Sequence, residues 1–275
     1  MYRYVSIILL WLASLLFSTF SYAGQTVVFV HGYLADGSDW RFSGIIPALQ
    51  SAGWLDGGNW FPQGPPPPIP PSQSERYVYT VTLPSEAPLP IQAQWLDFYL
   101  QPISHRHPHN DLILVGHSAG GVVARLVMVS GKIPIQGLIT IASPHLGTDK
   151  AEVGAQLSNS PFSWVAPFLG LGTINRSEEL YWDLVREYPA TPLFWLNRQP
   201  HPKNAFYVAI VRVGDDQWVP PYSQDMNNVP ALQGRALMIT TVGTHSLHPA
   251  DGALLVSLLD RLLIKPNNRY KEEVN

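Results

Sequence analysis

The chain has no cysteine. Disulfide staples are therefore excluded, as is any lipid carried on a thiol. Charge is nearly as scarce. Only 13% of the residues are Asp, Glu, Lys or Arg, about half of the roughly 25% usual in soluble domains. The net charge of −3 leaves no basic footprint, which excludes nucleic acid as a partner. Also lacking is an apolar run long enough to cross a bilayer, which takes about 20 residues. The candidate, Val5 to Phe20, is short for a full span and is interrupted by Ser14, Ser18 and Thr19, which favours a cleaved segment over the competing reading, an uncleaved membrane anchor. With Arg3 before it and Ser21-Tyr22-Ala23 after it, this run predicts a cleaved signal peptide over residues 1–23. The implied destination is the periplasm or the medium.

Apolar residues make up 46% of the sequence, with nine tryptophans and 26 prolines. That is ample for a core beneath an apolar, loop-rich surface. The length suits one domain, residues 24–275, with an insertion at about 149–203.

The most informative stretch is Gly116-His117-Ser118-Ala119-Gly120. Asp111 to Val115 before it reads as a buried parallel strand, and Gly121 to Val129 after it as a buried helix. Strand, G-x-S-x-G and helix together are the signature of a nucleophile elbow. The sharp turn holds the serine in a strained backbone and lifts its oxygen above the sheet. There it sits at the positive end of the following helix. Side chains at Gly116 and Gly120 would collide with neighbouring backbone.

Three segments then carry a family resemblance: Val27 to Tyr33, Val115 to Gly121, and Ile141-Ala142-Ser143-Pro144-His145-Leu146-Gly147-Thr148. Through them the chain resembles the α/β-hydrolase superfamily. Within it, the likeness is to the lipase-like group of bacterial lipases and GPI inositol-deacylase-like proteins. The resemblance implies a mostly parallel central sheet with helices on both faces and a lid or cap insertion. It also implies a Ser, acid, His order along the chain and two oxyanion-hole N–H groups. One of these belongs to Ala119, after the nucleophile. By likeness to lipases with a His-Gly-x loop, the other belongs to Tyr33. His31 reads as a loop brace.

Two carboxylates compete for the acid, Asp215 and Asp216, both after the strand Ala205 to Val213. The family's aspartate lies three residues before Val-Pro, which selects Asp216 ahead of Val219-Pro220. Two histidines compete for the base. His245 follows the last strand, Ala236 to Val242, and Gly243; His248 lies beside Pro249. The loop argument favours His245, because Pro249 makes His248 a helix-boundary residue. His145 precedes any acid and is expected to shape a pocket wall.

Elsewhere, Asp39 is expected to cap a helix running to about Ala52. Gly53 to Pro71 reads as breakers and a stiff polyproline loop, and Leu89 to Ser104 as a helix. His105 to His109 reads as an exposed polar loop rather than a metal site. The aromatic stretch Pro161 to Leu171 is expected to belong to a lid that touches lipid. The implied activity is a serine carboxylic-ester hydrolase for lipid-type acyl esters, with no metal or other cofactor. An acyltransferase on the same residues, or a binding protein on the same scaffold, remain as alternatives. Asp251 lies where some bacterial lipases hold calcium, but the motif does not match.

Overall fold

The apolar runs at residues 25–30, 111–117, 137–141 and 206–214 pair side by side because each can bury both of its faces. A computed structural model describes residues 24–67, 75–152 and 176–264. Its strands are β1 (Gln25–Val30), β2 (Leu55–Trp60), β3 (Arg76–Val81), β4 (Asp111–His117), β5 (Gly137–Ile141), β6 (Phe206–Gly214) and β7 (Ala236–Gly243). They form a parallel sheet in the order β2-β3-β1-β4-β5-β6-β7. Parallel sheets need cover on both faces, and two separate cores provide it.

On one face, Val28, Val30, Leu112, Leu114 and Ala209 pack under α3 (Leu89–Arg106) and α4 (Ala119–Ser130). On the other, Val27, Phe29, Ile113, Val115 and Ile210 meet α1 (Asp39–Phe42), α2 (Ile45–Ser51) and the closing α8 (Pro249–Ile264). The alternation along each strand is strict, and fully burying one such side chain contributes about 1.5–3 kcal/mol. Between β5 and β6 lie α5 (Glu178–Leu184) and α6 (Pro192–Leu196), and α7 (Pro221–Gln224) follows β6. Because the strands are parallel, the loops leaving β1, β4, β5, β6 and β7 all gather at one edge of the sheet. That edge is where such sheets place their sites.

Several expectations need correction. The helix after β1 is split, because Gly44 takes φ +83° between α1 and α2. Asp39 does not cap it; its carboxylate instead accepts the Asp36 N–H, closing a turn. The breaker stretch contains β2, an edge strand whose register shifts between Asp56 and Asn59 and which buries Trp60. His107 is not simply exposed: its ring lies 4.0 Å from that of Tyr77 and bonds the Tyr79 hydroxyl at 2.7 Å. Burial lowers its pKa to about 4.

The described part of the insertion is not a separate cover. Leu180, Leu184, Val185, Leu193 and Leu196 are buried in the main core. The expected signal peptide at 1–23 and the aromatic stretch Pro161 to Leu171 lie outside the described residues. Among the described residues, no helix is long and apolar enough to cross a membrane.

Candidate active site

At the end of β4 the chain turns through Ser118, whose φ of 52° and ψ of −130° are strained for a residue with a side chain. The neighbouring glycines show why the turn can be so tight. A Cβ on Gly116 would sit 2.4 Å from the Gly121 Cα, and one on Gly120 would sit 2.2 Å from the His31 carbonyl oxygen. Gly121 likewise has no room for a side chain, because Ser143 Oγ would be 2.1 Å away. The Ser118 N–H donates to the Ile141 carbonyl at 2.9 Å, tying the elbow to β5.

The Ser118 hydroxyl lies 2.9 Å from His245 Nε2, and His245 Nδ1 lies 2.9 Å from Asp216 Oδ2. A carboxylate only accepts, so Nδ1 carries the proton and Nε2 presents a lone pair to the serine. The three residues come from the loops after β4, β6 and β7, joined only by the parallel topology.

Asp216 is held as an anion. Its side chain is 1% exposed. Burial opposes ionisation, but the bonds from His245 and from the Val219 and Trp218 N–H groups outweigh it and keep the pKa below the usual aspartate value. Oδ1 accepts both of those N–H groups, at 3.0 and 2.9 Å. Oδ2 also accepts Gln224 Nε2 at 3.0 Å. The aspartate-to-Val-Pro spacing thus has a physical cause, since the N–H groups two and three residues on close the turn around the carboxylate.

Asp215 is exposed and lines a different cleft, together with His248. His248 Nε2 bonds Thr244 Oγ1 at 3.3 Å, and its backbone N–H donates to Asp251. Neither residue joins the Ser118 cluster.

The loop after β1 runs against the elbow. A Cβ on Gly32 would lie 2.8 Å from the Ser118 Cβ, so only glycine permits this approach. Leu83 N–H donates to His31 Nε2 at 2.8 Å, and His31 Nδ1 donates to the Gly32 carbonyl at 2.8 Å. His31 is therefore a buried brace. Among the described residues, the backbone N–H groups of Tyr33 and Ala119 have no acceptor. Ala119 opens α4, where the helix dipole adds partial positive charge.

Three further contacts carried no sequence signal. The Tyr33 hydroxyl bonds that of Tyr181 on α5, at 2.6 Å. Gln224 reaches Asp216 from α7, and His117 bonds the His245 carbonyl at 2.8 Å. His145 does not shape a pocket wall. It is fully buried, with Nδ1 accepting from Arg125 NH1 at 3.1 Å and Nε2 donating to Thr140 Oγ1 at 3.1 Å. Of Tyr181, Gln224 and His117, only His117 lies inside a recognisable motif, and at a position where the motif leaves the residue free.

Among the described residues, no three His, Asp or Glu side chains gather as metal ligands. Asp251 instead accepts Arg212 NH2 at 2.5 Å and the His248 N–H at 2.8 Å.

Residues 91–155 match the family model of the PGAP1-like alpha/beta domain. No curated protein matches the sequence. Among solved structures, the chain is similar to the lipase BlEst2 of Bacillus licheniformis in mature form. The two are 16% identical over 88% of this chain and 92% of that one, with a TM-score of 0.61. It is also similar to the lin2722 gene product of Listeria innocua, 15% identical over 88% and 95%, TM-score 0.58. A metagenomic carboxyl esterase, MGS0156, is 13% identical over 89% of this chain and 76% of that one, TM-score 0.53. The chain has the α/β-hydrolase fold.

Proposed function

We propose that this α/β-hydrolase-fold chain is a serine carboxylic-ester hydrolase that works through an acyl-enzyme on Ser118. The observation carrying the proposal is the unbroken hydrogen-bonded line Ser118–His245–Asp216 on a strained elbow. A serine hydroxyl is a weak nucleophile until a base takes its proton, and a carboxylate-oriented imidazole is such a base.

In the first half-reaction the Ser118 oxygen attacks the ester carbonyl while its proton passes to His245 Nε2. The Tyr33 and Ala119 N–H groups receive the oxyanion, and losing one such donor costs about 3 kcal/mol in the barrier. The C–O bond to the alcohol then breaks and the alcohol leaves with the proton from His245. In the second half a water gives its proton to His245 and attacks the acyl carbon. The acid departs and Ser118 recovers its proton.

Lipid-type acyl esters are the substrate class we favour. Leu34, next to Tyr33, is 61% exposed, and Trp218, two residues after Asp216, is 58% exposed. Both are chain neighbours of site residues and neither is charged. Export through residues 1–23 would place the enzyme outside the cytoplasm, and the Pro161 to Leu171 stretch would contact lipid as part of a lid.

The test is hydrolysis of p-nitrophenyl esters of increasing chain length beside emulsified glycerolipids. Turnover is expected in the wild type and should vanish in Ser118→Ala and His245→Ala, while His248→Ala keeps most of it. A fluorophosphonate should label the wild type and not Ser118→Ala. Ester turnover persisting in Ser118→Ala would remove the proposal.

A further inference from the structure

His117 and Ser118 are consecutive, yet their side chains leave the elbow in different directions and reach the same residue. Ser118 Oγ meets the ring of His245 at 2.9 Å. His117 Nε2 meets the backbone carbonyl oxygen of His245 at 2.8 Å. A carbonyl only accepts, so His117 carries its proton on Nε2 and donates it. The two imidazoles are stacked obliquely, with centroids 5.1 Å apart, and Trp40 closes on His117 edge-on at 6.3 Å.

The loop 244–248 has one internal tie, between the Thr244 hydroxyl and His248 Nε2 at 3.3 Å. Its other backbone ties run to the far side: Arg212 reaches the Ser246 carbonyl at 3.3 Å, and the His248 N–H and carbonyl both bond Asp251. None of these holds the His245 backbone, and Asp216 holds only its ring. We infer that His117 is a positioning residue for the reaction, a latch whose Nε2–H sets the height of the His245 backbone above the elbow.

The inference rests on the ester-hydrolase reading for its kinetic consequences, though not for its geometry. Its logic is a closed ring of contacts. Nucleophile and latch are neighbours on one rigid, strained turn, while ring and carbonyl belong to one residue. The elbow therefore fixes the backbone from which the His245 ring reaches Ser118, while Asp216 fixes the turn of the ring. A misplacement of about 1 Å can cost roughly 10²-fold in rate. The latch must also stay uncharged beside the imidazolium that forms in each half-reaction. Burial is the main reason it does so, with the nearby His245 and Arg212 charges acting in the same direction and the bond to the His245 carbonyl, then Asp251, against it. Together they lower the His117 pKa to about 4.

Two variants separate a latch from mere packing. His117→Phe keeps a ring of similar size but has no donor; His117→Gln keeps an N–H near the Nε2 position but fills the cavity less well. Packing alone ranks Phe above Gln in both stability and activity. The latch predicts opposite orders: Phe at least as stable as Gln in thermal unfolding, but with kcat on a p-nitrophenyl ester roughly 10²-fold below wild type and KM nearly unchanged. The Gln variant should recover most of that loss. A kcat for Phe equal to or above that for Gln would overturn the latch.

A second readout does not depend on ester turnover. The low-field proton that His245 Nδ1 shares with Asp216 should give a sharp NMR signal in wild type and His117→Gln, and be broadened or lost in His117→Phe. That signal unchanged in His117→Phe overturns the latch. A wild type with no turnover but with the expected NMR pattern overturns the ester-hydrolase reading and supports the latch.

Discussion

Arg212 and Asp251 form an ion pair 2.5 Å apart, with side chains only 2% and 3% exposed, directly beneath the loop that carries His245. Arg212 leaves β6, and Asp251 sits in the first turn of α8. Around them Arg212 donates to Thr241 Oγ1 at 2.7 Å and to the Ser246 carbonyl, while Asp251 accepts the His248 N–H. The last of these bonds caps α8 from its own third residue. The pair thus joins β6, β7, the histidine loop and the closing helix.

Removing one member of a buried pair leaves an uncompensated charge, which typically costs 3–5 kcal/mol. Asp251→Asn should therefore lower stability by about 3 kcal/mol in urea unfolding, and Asp251→Ala by more, because the cap is lost as well. Arg212→Met combined with Asp251→Asn should lose less than the two single variants summed, since no charge is then left unpaired. Strict additivity in that cycle would mean the two side chains do not act as a pair.

Asp183 on α5 gives a pH dependence of defined sign. The residue is 8% exposed and its carboxylate accepts the Leu89 N–H at 2.7 Å. Burial raises its pKa to about 6, with the Leu89 bond opposing and Glu179 adding to the rise. The unfolded chain ionises this group near the ordinary value of about 4. Between those two values the folded protein holds the extra proton, so rising pH costs stability there and the full cost persists above about 6. Asp183→Asn keeps an oxygen for Leu89 and removes the ionisation. Its melting temperature should exceed the wild type's by more at pH 8 than at pH 4.5. The reverse trend would mean that the ionised carboxylate is the stabilising form.

Much of the sheet was legible because parallel strands covered on both faces must be apolar throughout, which Val27 to Val30 and Leu112 to Val115 are. Edge strand β2 was not, because Gly57 and Gly58 mark a loop as readily as an irregular strand. What reveals the strand is the burial of Trp60, a tertiary fact. In the same way Ser118, Asp216 and His245 each stand in a local pattern whose spacing has a steric or hydrogen-bonding cause. Tyr181, Gln224 and the Arg212–Asp251 pair do not. They meet their partners across 148, 8 and 39 residues with no motif around them. The chemistry was thus readable locally, whereas its supports exist only once the chain has folded.

The strain at Ser118 can be measured against a residue that does not feel it. A non-glycine residue in such a conformation costs of order 1–3 kcal/mol. Ser118→Gly relieves that strain, although glycine's freedom in the unfolded chain returns part of the gain. It should be inactive and yet more stable than Ser118→Ala, which keeps a Cβ at φ 52°. The two should differ by about 1 kcal/mol in chemical denaturation. If the alanine variant is the more stable, the elbow stores no strain.

The last prediction concerns the loop that offers the Tyr33 N–H. The Tyr33 and Tyr181 hydroxyls are 2.6 Å apart, and their rings meet edge to face at 5.6 Å. Burial, with the bond to Tyr33, raises the Tyr181 pKa well above its ordinary value, so Tyr181 enters the contact as a neutral phenol. It ties α5 to a loop whose Gly32 is pressed against Ser118. Tyr181→Phe deletes the bond and keeps the ring contact. Complete loss of an oxyanion donor costs about 10²–10³ in kcat, and loosening one should cost less, about tenfold. Tyr33→Phe deletes the same bond and should fall by the same factor, because its backbone N–H is untouched. The double variant should then be no worse than either single one, since a bond can be lost only once. Losses that multiply in the double variant would show that the two hydroxyls act separately, and that the link from α5 to the oxyanion loop is not what they provide.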